Sequence, residues 1–248
     1  MSKIGLQLYS LKELAQKDFL GTVEKVAKIG YDGIEFAGFF NVPSKELKKV
    51  LDSNGISACG SHTGINLLIN DLDNVIQYNL EIGNSYIICP GLPENMRNSA
   101  DAWKKTAELF NEIGAKCKDY NIQFGYHNHA IEFNMFDGKY GYDILAENTV
   151  PELVCLEIDT FWVEYAGLKS VDVMNKYPDR LPLLHIKEMK SLTEKVNTEI
   201  GKGIMNFKEI IALGKKYGTK WYIVEQEYFE IPQLQSIEDS LNYLRGLI

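Results

Sequence analysis

Basic residues are in deficit. The chain has 26 Lys and Arg against 34 Asp and Glu, a formal net charge of −8 and an isoelectric point near 5.1. Nucleic-acid binding normally needs a clustered basic surface, so no nucleic-acid partner is expected. Cysteine is sparse: Cys59, Cys89, Cys117 and Cys155 lie far apart with no CxxC pairing, and three of them fall in apolar strand-like runs. Buried reduced thiols are expected rather than a disulfide or zinc-thiolate framework. No apolar stretch reaches the roughly 20 residues that span a bilayer, so no membrane partner is expected. The opening segment MSKIGLQLYSLKEL returns to charged residues before an apolar run of signal-peptide length, which reads as a cytoplasmic protein. No GxGxxG follows the first strand-like run, which argues against an open, doubly wound dinucleotide-binding sheet.

What is present is an ordinary globular composition, 45% hydrophobic and 24% charged, in a chain of the length typical of a single eight-fold barrel. Short β-rich runs recur, each ending in polar residues and followed by a longer amphipathic segment: IGLQLYS, GIEFAG, ISACGSH, YIICPG, IQFGYHNH, VCLEIDTFW, LPLLHIKEM and WYIVEQE. Several intervening segments stop at Gly or Asn, as in KKVLDSNGIS, NLEIGNSY and KCKDYNIQ, residues that tolerate the left-handed conformation ending a helix. Ser44, Asp71, Asn206 and Ser236 are expected helix starts, because their side chains can accept from free backbone N–H groups. Alternating strands and helices imply a parallel sheet, and eight such units imply one (β/α)₈ TIM barrel occupying residues 1–248 as a single domain.

The chain has four histidines: His62, His127, His129 and His185. Each falls at or near the C-terminal end of an expected strand, the rim on which barrels carry their chemistry. Strand alternation adds carboxylates. With Leu184 and Ile186 turned to the helices, His185 and Lys187 face inward; Val154, Leu156 and Ile158 leave Glu157 and Asp159 inward; Val224 leaves Glu225 and Glu227 inward. Buried carboxylates imply ion pairs, a metal or both. Any one of these residues alone reads as a structural ion pair or hydrogen bond sooner than as a ligand; together they favour a divalent metal. Carboxylate oxygens mixed with imidazole nitrogens suit Mn²⁺, Co²⁺ or Zn²⁺.

The segments YDGIEF, GYHNHAIEF, LEIDTFWV, LLHIKEM and VEQE together resemble the xylose-isomerase-like barrel superfamily, whose members are labelled sugar phosphate isomerase/epimerase or AP-endonuclease family 2. The resemblance covers residues 3–247. It implies a metal held by Glu, Asp, His and Glu from strands five to eight, which here become Asp159, His185 and Glu225. The first glutamate has no direct counterpart: either His127 takes its place or Glu132 folds back to the metal. The YHNH and HxKE patterns are similar to the branch of inosose dehydratases and 3-keto-sugar enzymes.

The resemblance implies isomerisation or epimerisation of a keto sugar or related polyol through an enediolate, with Glu225 as base and Glu132 or His129 delivering a proton on the other side. Expulsion of a β-hydroxyl would make the same site a dehydratase. Glu35 and His62 either bond substrate hydroxyls or pair with a neighbouring strand. Trp162 either stacks on a sugar ring or packs on a helix. Lys187 either polarises a keto oxygen or neutralises Glu157 or Glu227, and Glu227 is placed beside the substrate. A trinuclear repair nuclease would need more His and Asp ligands than the chain offers, and a non-catalytic binding module remains the other alternative. No glycine-rich phosphate cradle follows the last two strands, which favours an unphosphorylated carbohydrate. A homo-oligomer is left open.

Overall fold

The computed structural model describes residues 2–248. Its barrel strands are β1 (Lys3–Gln7), β2 (Gly33–Ala37), β3 (Ser57–His62), β4 (Tyr86–Cys89), β5 (Gln123–His127), β6 (Val154–Asp159), β7 (Leu183–Ile186) and β8 (Trp221–Val224), and two antiparallel pairs of two-residue strands lie outside the barrel. The barrel strands close in chain order, β1 pairing with both β2 and β8, and every pairing among them is parallel. The fold is a single (β/α)₈ barrel. Several strands end before the polar tails of their sequence runs: Lys187, Glu225 and Glu227 lie just beyond β7 and β8, so the chemistry-bearing tails form the rim.

Strand alternation sorts the side chains as expected. Leu156, Ile158, Leu184, Ile186 and Val224 are buried against the surrounding helices. Inside the barrel, Cys59, Ile88, Cys155, Leu183, Trp221 and Ile223 form an apolar plug, on which His185, Glu157, Asp159 and Glu225 follow two or four residues later in their strands. All four cysteines are buried and free.

One strand breaks the alternation. With Cys59 inside the barrel, regular alternation would turn Ser61 inward and His62 away. The β2–β3 register instead steps from Ile34 opposite Ala58 to Glu35 opposite Gly60, and an extra residue of this kind shifts the side chains beyond it to the other face. His62 therefore points inward, while Ser61 Oγ donates to Asn79 Oδ1 at 2.8 Å.

The helices around the barrel are α1 (Lys12–Lys17), α2 (Phe19–Ile29), α3 (Ser44–Asn54), α4 (Ile65–Asn70), α5 (Leu72–Ile82), α6 (Ala100–Lys118), α7 (Gly141–Asn148), α8 (Thr160–Tyr165), α9 (Ser170–Lys176), α10 (Phe207–Lys216) and α11 (Gln233–Arg245). Gly55 and Gly83 end α3 and α5 in the left-handed conformation, with φ of 64° and 77°, and Asn121 takes φ 58° at the turn before β5. Of the four expected helix starts, Asn206 caps α10 through its side chain. Asp71 occupies the cap position of α5 but accepts from the Asn74 amide rather than from the backbone. Ser44 is already the first residue of α3, and its hydroxyl bonds Glu81. Ser236 lies inside α11, where its buried hydroxyl bonds Glu199 and Gln226. In both serines a tertiary acceptor has taken the hydroxyl that local sequence offered to the helix end. No helix among the described residues is long and apolar enough to cross a membrane.

Candidate metal centre

His127, Asp159, His185 and Glu225 come from β5, β6, β7 and the end of β8, and one ligand atom from each lies within 4.8 Å of all the others. All four are buried. His127 Nε2 is 3.5 Å from Asp159 Oδ2; His185 Nδ1 is 3.2 Å from Glu225 Oε2 and 3.8 Å from Asp159 Oδ2.

Local structure aims Asp159. It closes β6 and caps α8, accepting from Trp162 N–H through Oδ1 at 3.1 Å, while its own N–H donates to Asn128 Oδ1 at 3.1 Å. That leaves Oδ2 buried with no hydrogen-bond partner, and both ring nitrogens of His127 are equally bare. An unsatisfied buried polar atom costs about 1–3 kcal/mol, and Asp159 Oδ2 and His127 Nε2, 3.5 Å apart with no hydrogen bond, would both be satisfied by a cation between them. Two imidazoles and two carboxylates fit Mn²⁺, Co²⁺ or Zn²⁺.

Behind this group lies a second one. Glu35 Oε2 accepts from His185 Nε2 at 2.7 Å and from Gln7 Nε2 at 2.8 Å, and it sits 3.2 Å from His62 Nε2. Glu157 Oε2 is 2.9 Å from the same His62 nitrogen. Ligand atoms of Glu35, His62, Glu157 and His185 also cluster within 4.8 Å, but here two imidazoles and two carboxylates already bond one another. His185 thus offers Nδ1 to the first group while Glu35 holds Nε2, the arrangement in which an outer carboxylate fixes the orientation of a metal-binding imidazole. Gly60 makes room for this: a Cβ on it would overlap Glu35 Oε1.

Burial and charge divide the titrating groups. Burial, reinforced by the neighbouring His185 and His62, keeps His127 neutral by pushing its pKa well below the ordinary imidazole value. Burial likewise lowers His129 to about 4. Burial opposes charge on His62 and His185 too, but the adjacent carboxylates outweigh it, raising His62 to about 10 and His185 well above its ordinary value. Burial raises Asp159 to about 6 and, with Glu35 beside it, Glu157 to about 7. Protonated His185 must release a proton from Nδ1 to accept a cation. Above the ordinary imidazole value of about 6.5, metal affinity is therefore expected to rise with pH, by up to roughly tenfold per unit. Chelator competition at about pH 6.5 and about pH 8 measures this; equal affinities would remove His185 from the ligand set.

The other candidates have defined positions. Glu132 accepts from Tyr126 Oη through Oε1 and from His129 N–H through Oε2, both at 2.7 Å, and so ties down the loop that carries His129. Glu35 is fully buried and does not line the cavity above the centre. Lys187 is buried, bonds Glu225 at 3.3 Å and Glu227 more closely, and lies 5.2 Å from the Trp162 ring. His62, His127, His129, Trp162, Glu225 and Glu227 line a cavity of about 1030 Å³. Gln7 and Asn128, which orient Glu35 and Asp159, were not singled out from sequence; a polar residue at an inward strand position was the available signal for Gln7.

Comparison with known proteins agrees with this barrel. Residues 23–247 match the family described as Xylose isomerase-like TIM barrel. The chain belongs to that family. A sugar phosphate isomerase/epimerase from Parabacteroides distasonis superposes with a TM-score of 0.86 at 28% identity, covering 99% of this chain and 94% of that one. An inosose dehydratase of Geobacillus kaustophilus is 23% identical over 192 residues, which is 68% of this chain and 61% of the relative; the match thus spans about three fifths of that enzyme. A structure described as IOLI protein with a binding zinc atom shares the fold at 14% identity and a TM-score of 0.78, covering 99% and 97% of the two chains.

Proposed function

We propose that this protein is a metal-dependent enzyme that removes the proton beside the carbonyl of a small, unphosphorylated keto sugar or keto-polyol. The observation that carries the reading is the convergence of one bare His127 nitrogen and the bare Oδ2 of Asp159 on His185 and Glu225, beside a cavity that His127 and Glu225 line. His127 is the fourth ligand, because both Glu132 oxygens are already engaged. The divalent cation, of the Mn²⁺, Co²⁺ or Zn²⁺ type, supplies positive charge that acidifies the C–H next to the carbonyl and stabilises the enediolate. A neighbour of the same fold whose name records a bound zinc atom supports a divalent cation in this barrel.

Glu225 faces the cavity and takes the substrate proton. His129, neutral and also on the cavity wall, takes or relays a proton on the opposite side. Trp162 offers a ring face to the sugar, and His62 offers its charged imidazole to a substrate oxygen. Lys187, clamped between Glu225 and Glu227, sets the position of both.

Returning the proton completes an isomerisation or epimerisation, as the Parabacteroides neighbour's name supports. Loss of a β-hydroxyl completes a dehydration. Two observations favour that second reading: the place of the family's first glutamate is taken by a neutral imidazole, and the sequence relatives include inosose dehydratases. Incubating the metal-loaded protein with keto sugars and keto-inositols in deuterated water decides the matter. Deuterium beside the carbonyl is expected of an isomerase or epimerase, and loss of water to an unsaturated product marks the dehydratase. Neither exchange nor loss of water with any such compound, at full metal occupancy, would leave a binding module.

A further inference from the structure

The cavity is longer than the centre it serves. At about 1030 Å³ it stands at the upper end of the roughly 300–1,000 Å³ over which pockets hold drug-sized ligands, so a single sugar ring on the metal would leave much of it vacant. Part of its wall has a different chemistry. Phe39, Phe40, Leu67, Val75 and Tyr78 line it, contributed by the loop after β2 and by α4 and α5.

This wall is built in advance of any ligand. The Tyr78 ring stacks on Phe39 with centroids 4.1 Å apart, and the Tyr78 hydroxyl donates to Val42 carbonyl at 2.7 Å. Phe40 rests against Phe19 of α2 at 5.2 Å while remaining 41% exposed, and Leu67 is 53% exposed. Phe40 and Asn41 both hold left-handed backbone, with φ of 51° and 59°. For a bulky residue such as Phe that conformation is costly, and backbone strain of this kind gathers at ligand-binding sites. Large apolar side chains kept at a cavity surface by a strained loop, and continuous with the metal centre, mark a binding surface rather than core.

We propose that this wall is a subsite for an apolar, aromatic group joined to the reacting sugar, so that the preferred substrate is a keto sugar carrying an aryl group in glycosidic linkage rather than a free monosaccharide. The inference rests on the reading that the sugar ring occupies the metal end. Phe40 and Leu67 would grip the aglycone while His129, Trp162 and Glu225 engage the sugar. The polar pair on the same wall, Asp71 and Asn74, is tied together by the Asn74 amide donating to Asp71 Oδ1 at 2.7 Å.

The test is calorimetric binding of phenyl and methyl glucosides, in each anomeric form, to the metal-loaded protein. These compounds lack the keto group, so the outcome is independent of turnover. For at least one anomer the phenyl compound is expected to bind roughly tenfold tighter or more, because an aromatic ring leaves water for an aromatic wall. Phe40→Ala and Leu67→Ser should each cut that preference to about threefold or less, leaving methyl glucoside affinity and metal content unchanged. Equal affinity for the two glucosides, or a preference untouched in both variants, overturns the subsite. Light scattering covers the other occupant: if Phe40→Ala converts a dimer to a monomer without altering the preference, the wall is an interface between copies and the proposal fails. If the phenyl preference depends on Phe40 while no keto sugar exchanges deuterium or loses water, the subsite stands and the proposed reaction falls.

Discussion

Asp159→Asn is expected to fold and to lose its divalent cation. The asparagine carbonyl can still accept from Trp162 N–H and cap α8, the role Oδ1 plays now, but an amide NH₂ replaces the bare Oδ2 that faces His127. Loss of a direct ligand should exceed the roughly 10- to 100-fold affinity cost of removing an outer partner. Asp159→Ala should lose the metal and also destabilise the fold by about 1 kcal/mol through the missing cap. Elemental analysis and thermal melts separate the two effects. A cation at about 100 times its dissociation constant stabilises a fold by about 2.7 kcal/mol, so chelation should lower the melting temperature of the unmodified protein and leave Asp159→Asn unmoved. A full complement of metal in Asp159→Asn would remove this residue from the centre.

Glu225→Gln is expected to keep part of its metal and lose proton transfer. Burial works against charge on Glu225, but Lys187 and His185 outweigh it and hold the carboxyl well below the usual carboxylate range, so the group is ionised at neutral pH and available both to a cation and to a substrate proton. Glutamine retains a carbonyl oxygen for coordination and lacks the basic oxygen. Losing a general base costs about 10²–10⁴-fold in rate. Deuterium exchange should fall by that factor, beyond what a drop in metal occupancy explains. Near-normal exchange would make Glu225 a ligand only and move the proton to His129, in which case His129→Gln should abolish it.

The conflict inside the centre gives these variants their leverage. Asp159 is raised to about 6 by burial while His185, a few ångströms away, is held protonated by Glu157 and Glu35. Charges this close and this deep are costly unless each is paired. The outer set of Glu35, His62 and Glu157 bonds itself and one side of His185, leaving only the second oxygens of Glu35 and Glu157 bare; the inner set leaves Asp159 Oδ2 and His127 without partners. One buried cluster thus combines a mutually bonded support with an incomplete ligand set.

The amino-acid sequence by itself determined the barrel, its eight strands, the rim on which the histidines stand and the inward direction of Glu157, Asp159, His185 and Glu225. These follow from short-range rules: alternation along a strand, helical periodicity, and glycine or asparagine at a left-handed turn. Tertiary structure alone decided the rest. Whether His127 or Glu132 was free depended on Tyr126 and the His129 N–H, which capture the glutamate across a loop. The inward turn of His62 depended on an extra residue in β3 that breaks the alternation. Ser44 and Ser236 were drawn from expected helix caps to acceptors 37 and 10 residues away in the chain. The apolar part of the cavity wall is scattered over residues 39 to 78 and carries no periodic signal. Local pattern sets which way a side chain points. Which atoms remain unpaired after packing depends on contacts between distant segments, and it is on those unpaired atoms that the proposed metal centre rests.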